Sequence, residues 1–248
     1  ALPFVGRKAA NPPLGLLCVA SCVETATKHS DGVVDAQADG IGYEALREVI
    51  AREAPDVVGI SAMTLTLIDA LATSALVKEV NPATAVVVGG PHAFLFPDET
   101  ISRPSVDYLV LGEGERTFPA LLERIGDARA LRTVPGLVFG HDGGIVRTGA
   151  PGLIEDLDSL PFPARHLTSV GSYGSVLAGR KGPVTTMITS RGCPYGCTFC
   201  ARPHLGKKFR KRSARNVVDE MRECVGMGVE QFLIYDDTFT VDRQRVMS

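Results

Sequence analysis

Short apolar runs alternate with amphipathic stretches through the N-terminal half of the chain. Apolar, β-branched runs predict strands at Val33–Val34, Val57–Ser61, Ala85–Val88 and Tyr108–Leu111. Apolar residues at helical spacing predict the helices between them, which we place at Leu14–Cys22, Tyr43–Ile50, Leu65–Leu76, Pro97–Ser102 and Phe118–Ile125. Strands that alternate with helices in this way predict a parallel α/β sheet, a Rossmann-like (flavodoxin-type) domain.

The predicted strands end in small and polar residues. Asp35, Ser61, the pair Gly89–Gly90 and the pair Gly112–Glu113 all stand at these ends. Ligands of open parallel sheets bind at the carboxyl ends of the strands. The sequence therefore predicts a ligand site along this edge of the sheet.

The C-terminal half begins with a different pattern. Residues 134–146 predict a β-hairpin that turns at His141–Gly144. Residues 157–164 contain Leu160-Pro-Phe-Pro163 and predict an extended linker, because proline suits neither helix nor sheet ladder. A strand over Val184–Thr189, a helix after Ser213 and a strand over Gln231–Tyr235 follow.

Three cysteines follow the strand at Val184–Thr189. Cys193, Cys197 and Cys200 have the spacing C-x3-C-x2-C, and Gly192, Pro194 and Gly196 allow a tight loop. Three thiolates would leave one iron of an iron–sulfur cube without a protein ligand, as a catalytic centre requires. The alternative is a Cys3His zinc site completed by His204.

The segment Cys193-x3-Cys197-x-Phe199-Cys200 resembles the cluster loop of radical S-adenosylmethionine (SAM) enzymes, which follows the first strand of a β/α barrel. The resemblance implies a [4Fe–4S] cluster whose open iron binds SAM, with Phe199 near the adenine. An electron from such a cluster cleaves SAM to methionine and a 5′-deoxyadenosyl radical. Asp236 and Asp237 stand where this family holds the SAM amino group, in place of its Gly-Gly-Glu element.

A second resemblance concerns the first domain, which is similar to the cobalamin-binding domain that precedes B12-dependent radical SAM barrels. It is carried by Pro13-Leu-Gly-Leu, Gly89-Gly-Pro-His, Gly112-Glu-Gly-Glu, the Leu157 linker and Asp35-Ala-Gln37-Ala-Asp-Gly40. It implies the following cobalamin contacts: Asp35, Gln37, Gly40, Ser61, Gly89, Gly90 and Glu113. Gln37 replaces the histidine that would ligate cobalt. The alternative is a flavodoxin-like domain whose glycines serve only as turns.

These resemblances divide the chain into three parts. Residues 1–130 are assigned to the cobalamin-binding domain, 131–178 to the hairpin and linker, and 179–248 to the start of the radical SAM barrel. The family's first sheet strand and most of its barrel have no counterpart in this sequence. We therefore expect a fragment that is inactive toward SAM by itself.

Composition narrows the function further. The net charge of −2 argues against nucleic acid, and polar residues interrupt the apolar stretch 57–77, which argues against a membrane span. The basic run 207–215 is expected to be solvated or to face carboxylates. Six cysteines, with three in one loop, favour metal over disulfides and a reducing cytoplasm. Cys18 and Cys22 are expected to be buried thiols.

The family resemblance implies methyl transfer to an unactivated carbon of a small-molecule substrate, with a reductant such as flavodoxin or ferredoxin. Oxidative ring closure, as in tetrapyrrole cyclases, is the alternative within the family. A zinc-stapled α/β interaction module without catalysis is the alternative outside it. The methylthiotransferase branch expects cluster cysteines spread through its N-terminal domain, which Cys18 and Cys22 do not match.

Overall fold

The computed structural model describes residues 11–174, 182–200 and 206–247. Its main sheet has the order β1-β2-β3-β4-β5. These strands are β1 (Val57–Ser61), β2 (Ala85–Gly89), β3 (Tyr108–Val110), β4 (Leu137–His141) and β5 (Gly144–Arg147). The first three run parallel, whereas β4 and β5 are antiparallel. The predicted α/β class is confirmed.

Helices connect the strands of this sheet. They are α1 (Leu14–Ala26), α2 (Ala36–Asp39), α3 (Tyr43–Glu53), α4 (Leu67–Val80), α5 (Pro91–Leu95), α6 (Pro97–Ile101), α7 (Gly114–Leu122) and α8 (Ala128–Leu131). The core lies on both faces of the sheet because successive strand residues point to opposite sides. Val86 and Val88 pack in one buried cluster with α3 and α4, and Val87 packs in the other with α7.

Some predicted elements of this part differ in the structure. Val33–Val34 is not a strand, since no strand of the described residues pairs with it and Val34 is exposed. The strand β1 lies at the edge of the described sheet and is half-exposed rather than buried. The helix predicted as far as Ile125 already ends at Leu122.

The predicted hairpin forms, and it extends the first sheet. Tyr108 of β3 pairs with Phe139 of β4, so the hairpin continues the sheet rather than belonging to a linker. A division at residue 130 would cut this sheet in two. The chain from 148 to 174 has no strand and contains three 3₁₀ turns. The boundary predicted at 178–179 lies outside the described residues.

The last part contains two parallel strands joined by a crossover helix. They are β6 (Val184–Met187) and β9 (Gln231–Ile234), and the helix is α9 (Ala214–Gly226). A small antiparallel ladder pairs β7 (Ser190–Arg191) with β8 (Arg210–Lys211), and α10 (Arg243–Met247) follows. Ser213 caps α9 as predicted, by accepting a hydrogen bond from the N–H of Asn216. The apolar residues Val218 and Val225 of α9 are exposed.

Among the residues that the structure describes, no helix is long and apolar enough to cross a membrane.

Candidate functional site

The cysteine loop begins at the carboxyl end of β6. Gly192, just before the first cysteine, has a φ of +82°, and a Cβ there would lie 2.3 Å from the carbonyl oxygen of Lys208. Only glycine fits this approach of two backbones. The N–H of Cys200 donates to the carbonyl of Cys197 at 3.1 Å, which closes a turn between the last two cysteines.

The three thiols fit a cluster by their donor chemistry. Cys193 is half-buried, whereas Cys197 and Cys200 are exposed, and Phe199 is 91% exposed beside them. In residues 11–174, 182–200 and 206–247, no three His, Cys, Asp or Glu side chains converge as a metal site. The assignment therefore rests on thiolate chemistry and spacing. The alternative ligand His204 lies outside the described residues.

Asp236, predicted to contact SAM, is engaged by the segment that enters the cysteine loop. It accepts hydrogen bonds from the backbone N–H groups of Thr189 (2.6 Å) and Ser190 (3.1 Å). The hydroxyls of both residues also donate to it, at 2.5 and 2.6 Å. Its side chain is fully buried and lies 3.5 Å from Arg245. These contacts give Asp236 a structural role, whereas Asp237 is exposed.

The predicted strand-end residues Ser61, Gly89 and Gly90 come together because β1 and β2 are adjacent. Gly90 has a φ of +92°, and a Cβ there would lie 2.8 Å from the carbonyl oxygen of Ala62. Gly89 has ordinary space around it, since its nearest neighbour would be 3.5 Å away. Ser61 is exposed at the mouth of this backbone cradle. The close approach of its own chain at Ala62 therefore requires glycine at position 90, and ligand binding at these residues stays a prediction.

Asp35, Gln37 and Gly40 belong to the short helix α2 and its two ends. Asp35 caps α2 by accepting from the N–H of Ala38 at 3.0 Å, and Gly40 ends the helix in the left-handed region. Gln37 is exposed. Tyr173 donates to the second Asp35 oxygen at 3.3 Å. Burial raises the pKa of Tyr173 to about 12, so its hydroxyl stays protonated at neutral pH.

His92, which follows the Gly-Gly-Pro turn, lies in α5 and is buried. Its Nδ1 lies 3.1 Å from the hydroxyl of Thr64, and its ring packs against Phe96. Its Nε2 is buried without a hydrogen-bond partner in the structure. Its backbone N–H donates to Ala62, which holds α5 against β1.

An apolar surface at the strand ends was not anticipated. Leu65 is 96% and Ile68 84% exposed, although helical spacing had placed both on a buried face. Met63 is exposed beside them. Large apolar residues that are exposed together on one surface are typical of a ligand-binding or protein-binding site. The sequence did indicate their location, because these residues directly follow Ser61 and the residues after a strand end lie at the same edge of the sheet.

Glu113, predicted to contact cobalamin, lies instead in a buried ion-pair cluster with Glu115, Arg191 and Arg210. Its oxygens accept from Arg210 at 2.9 and 2.8 Å, from Arg191 at 3.0 Å and from the N–H of Ile154 at 2.7 Å. Burial alone would raise the pKa of Glu113, but these donors hold it below its ordinary value. These contacts with the cluster-loop ladder argue against a cobalamin contact.

The basic run behaves as predicted but is more deeply buried. Lys208 pairs with Glu155 and Lys211 with Asp242 at the surface, as expected for a carboxylate-facing loop. Arg212 is nearly buried and pairs with Glu220 of α9. Arg165 pairs with the other Glu220 oxygen at 2.6 Å, and both side chains are almost wholly buried.

The two N-terminal cysteines are free thiols, as predicted. Burial raises the pKa of Cys18 to about 12 and that of Cys22 to about 11. Both therefore stay protonated and unreactive at neutral pH.

Comparison with known proteins decides the family. The model of the B12 binding domain matches residues 6–122, and that of the Radical SAM superfamily matches residues 187–247. This chain belongs to the B12-binding radical SAM family. The predicted B12-binding domain and radical SAM domain are thereby confirmed, whereas the cluster and the individual cofactor contacts stay predictions.

Relatives and solved structures agree with this family. A Pyrococcus horikoshii protein named as an uncharacterized methyltransferase is 32% identical over 95% of this chain and 51% of its own length. An anaerobic magnesium-protoporphyrin IX monomethyl ester cyclase of Rubrivivax gelatinosus is 31% identical over 86% of this chain and 39% of its own.

The fold is shared with the methyltransferase TsrM of Kitasatospora setae, solved with cobalamin and a [4Fe–4S] cluster. That structure matches with a TM-score of 0.74 and 19% identity, over 95% of this chain and 48% of its own. This chain of the B12-binding radical SAM family thus spans about half the length of the relatives it matches, or less.

Proposed function

We propose that this chain is the cofactor-binding part of a B12-dependent radical SAM methyltransferase that acts on an unactivated carbon of a small molecule. The observation that carries the proposal is the three-cysteine loop at the end of β6, which buried ion pairs tie to a B12-binding domain. The Pyrococcus relative named as a methyltransferase supports the choice of methyl transfer.

The chain's own residues bind and orient the cofactors in this proposal. Cys193, Cys197 and Cys200 hold the cluster by three thiolates and leave one iron open for SAM. Phe199 would contact the adenine, and Asp237, which is exposed at the end of β9, would receive the SAM amino group. The bound cofactors supply a carbon-centred radical and a methyl group.

Ser61, Gly89 and Gly90 would hold the nucleotide tail of cobalamin at the carboxyl ends of β1 and β2. The exposed apolar residues Met63 and Ile68 cover it, because burying apolar surface at the mouth stabilises a bound ligand. Asp35, Gln37 and Gly40 would also contact the bound cobalamin.

Iron content tests the cluster assignment. Anaerobic reconstitution should give about four irons per chain. Replacing Cys193, Cys197 or Cys200 with Ala should abolish it, whereas Cys22→Ala should retain it. One zinc per chain, lost instead on replacing His204, would support the zinc-stapled interaction module.

Gln37 determines the state of bound cobalamin. An amide is a poor cobalt ligand beside imidazole, so burial of the tail rather than a cobalt bond should supply the affinity. We expect electron paramagnetic resonance of the Co(II) form to show no nitrogen superhyperfine splitting. Such splitting would contradict this, as would tight binding that survives bulky replacements of Ser61, Gly89 and Gly90.

Oxidative ring closure is the second candidate, because the Rubrivivax relative is named as a cyclase. SAM labelled in its methyl group separates the two in the full-length enzyme: label passes to cobalamin and product in methyl transfer and stays in methionine in ring closure.

We also propose a cytoplasmic location and a flavodoxin or ferredoxin as the electron donor, because the cluster needs a low-potential reductant and a reducing compartment.

A further inference from the structure

Arg191 joins the cysteine loop to the first domain. It lies two residues before Cys193, and one of its terminal nitrogens donates to Glu113 at 3.0 Å. The other donates to Glu115. The arginine is 14% exposed, and the two glutamates are 3% and 7% exposed. One planar guanidinium therefore bridges two buried carboxylates of the B12-binding domain.

The opposite strand of the same ladder is tied to the same turn. Arg210 pairs with Arg191 across β7 and β8, and its guanidinium donates to Glu113 and to the carbonyl of Ile154. Two arginines thus face two glutamates, and the formal charges of this cluster balance. Both strands that flank the cysteine loop are held by the turn between β3 and α7.

That turn is itself held firmly against the first domain. Gly112 has a φ of +74°, and a Cβ there would lie 3.0 Å from Pro151. A Cβ at Gly114 would lie 3.1 Å from the side chain of Val19, which shows how closely α7 packs on α1. The close packing of Gly112 and Gly114 therefore holds in place the segment that carries Glu113 and Glu115.

We propose that Glu115, together with Glu113, is a positioning residue that fixes the cysteine loop relative to the strand ends of the B12-binding domain. It acts through Arg191 and holds the two cofactors at one separation. The contact of Arg191 with Glu113 and Glu115 is observed in the structure, and only the identity of the two cofactors rests on the proposed function.

The barrel part holds the loop independently, which makes the role of Glu115 separable. Asp236 binds Thr189 and Ser190 to the end of β9. Without Glu115 the loop stays attached to β9 and keeps the contacts of Arg191 and Arg210 with Glu113, but Arg191 loses one of the two carboxylates that orient it. Lysine at position 191 would be a partial substitute, because an ammonium is a point charge that cannot span both carboxylates.

Hydrogen–deuterium exchange on the full-length protein tests the tie. In Glu115→Gln and Arg191→Lys, amides in peptides covering β7 and β8 should exchange about tenfold faster or more, since a charge-assisted hydrogen bond is lost. Exchange in β6 and α9 should stay unchanged. Glu79→Gln, which removes the exposed partner of Arg47, is the matched control. Unchanged exchange at β7 and β8, or equal acceleration along the whole chain, would overturn the proposal.

Pulsed electron paramagnetic resonance on the loaded protein measures the positioning itself. The coupling between Co(II) and the reduced cluster should give one narrow distance distribution in the wild type and in Glu79→Gln, and a broad one in Glu115→Gln. An equally narrow distribution in all three would refute the positioning role. If Glu115→Gln does not fold, Arg191→Lys retains the positive charge and decides the question. If the wild type binds neither cofactor, the proposed function fails, while the exchange experiment still decides the tie.

Discussion

Replacing Glu113 with Gln should cost this protein a large part of its stability. Glutamine keeps the size of the side chain but removes its charge and turns one acceptor into a donor. Arg210, whose side chain is 1% exposed, would then lose its ion pair with Glu113. The Nη1 atom of Arg191 would lose the same carboxylate partner. Removing one partner of a buried ion pair typically costs about 3–5 kcal/mol. That is a sizeable fraction of the roughly 5–15 kcal/mol that stabilises a domain.

The chain has no tryptophan, so urea unfolding is best followed by far-ultraviolet circular dichroism. With a slope of about 2 kcal/mol per molar urea, the midpoint should fall by on the order of 2 M. Glu79→Gln, at an exposed pair, should cost less than about 1 kcal/mol.

Adding Arg210→Met to Glu113→Gln should recover part of the loss, because no unpaired charge then stays buried. A loss for Glu113→Gln alone that is no greater than that of the exposed control would refute the reasoning.

Three further predictions concern pH and the glycines. Hydrogen bonds from Arg210, Ile154 and Arg191 hold the pKa of Glu113 below its ordinary value in the folded protein. The ionised carboxylate therefore contributes its full stabilisation of the fold above the unfolded pKa of about 4.3, and this contribution is lost as the pH falls through the folded pKa. The difference in unfolding free energy between wild type and Glu113→Gln should therefore be constant near neutrality and narrow only below about pH 4; narrowing already near pH 6 would contradict this. Gly192→Ala should lose most reconstituted iron, because its Cβ meets backbone and its φ is positive, whereas Gly196→Ala, in open space, should keep it. Gly90→Ala should weaken cobalamin binding, measured by absorbance titration, through about 1–3 kcal/mol of strain, and equal weakening by Gly89→Ala would argue against the cradle.

Local patterns in the sequence were sufficient for most of the strands and helices, and they named the candidate cluster residues. Strand and helix periods reflect which side chains face the core, so the strands β1, β2 and β3 were predicted within a few residues. The spacing of Cys193, Cys197 and Cys200 predicts a shared metal centre because a short chain segment limits how far apart their sulfurs lie. The basic run was predicted from its charge to be solvated or to face carboxylates, and the pairing of Lys208 with Glu155 agrees with that prediction.

Only the tertiary structure decided which polar groups are buried and what they meet. Glu113 and Arg210 are separated by nearly a hundred residues, and nothing local to either indicates that they pair. Asp236 is engaged by Thr189 because β9 lies beside β6. Leu65 is exposed despite its helical spacing, because its part of the chain forms a strand-end loop rather than the packed face of α4. Burial and pairing of this kind depend on contacts between distant segments, which a local pattern does not contain.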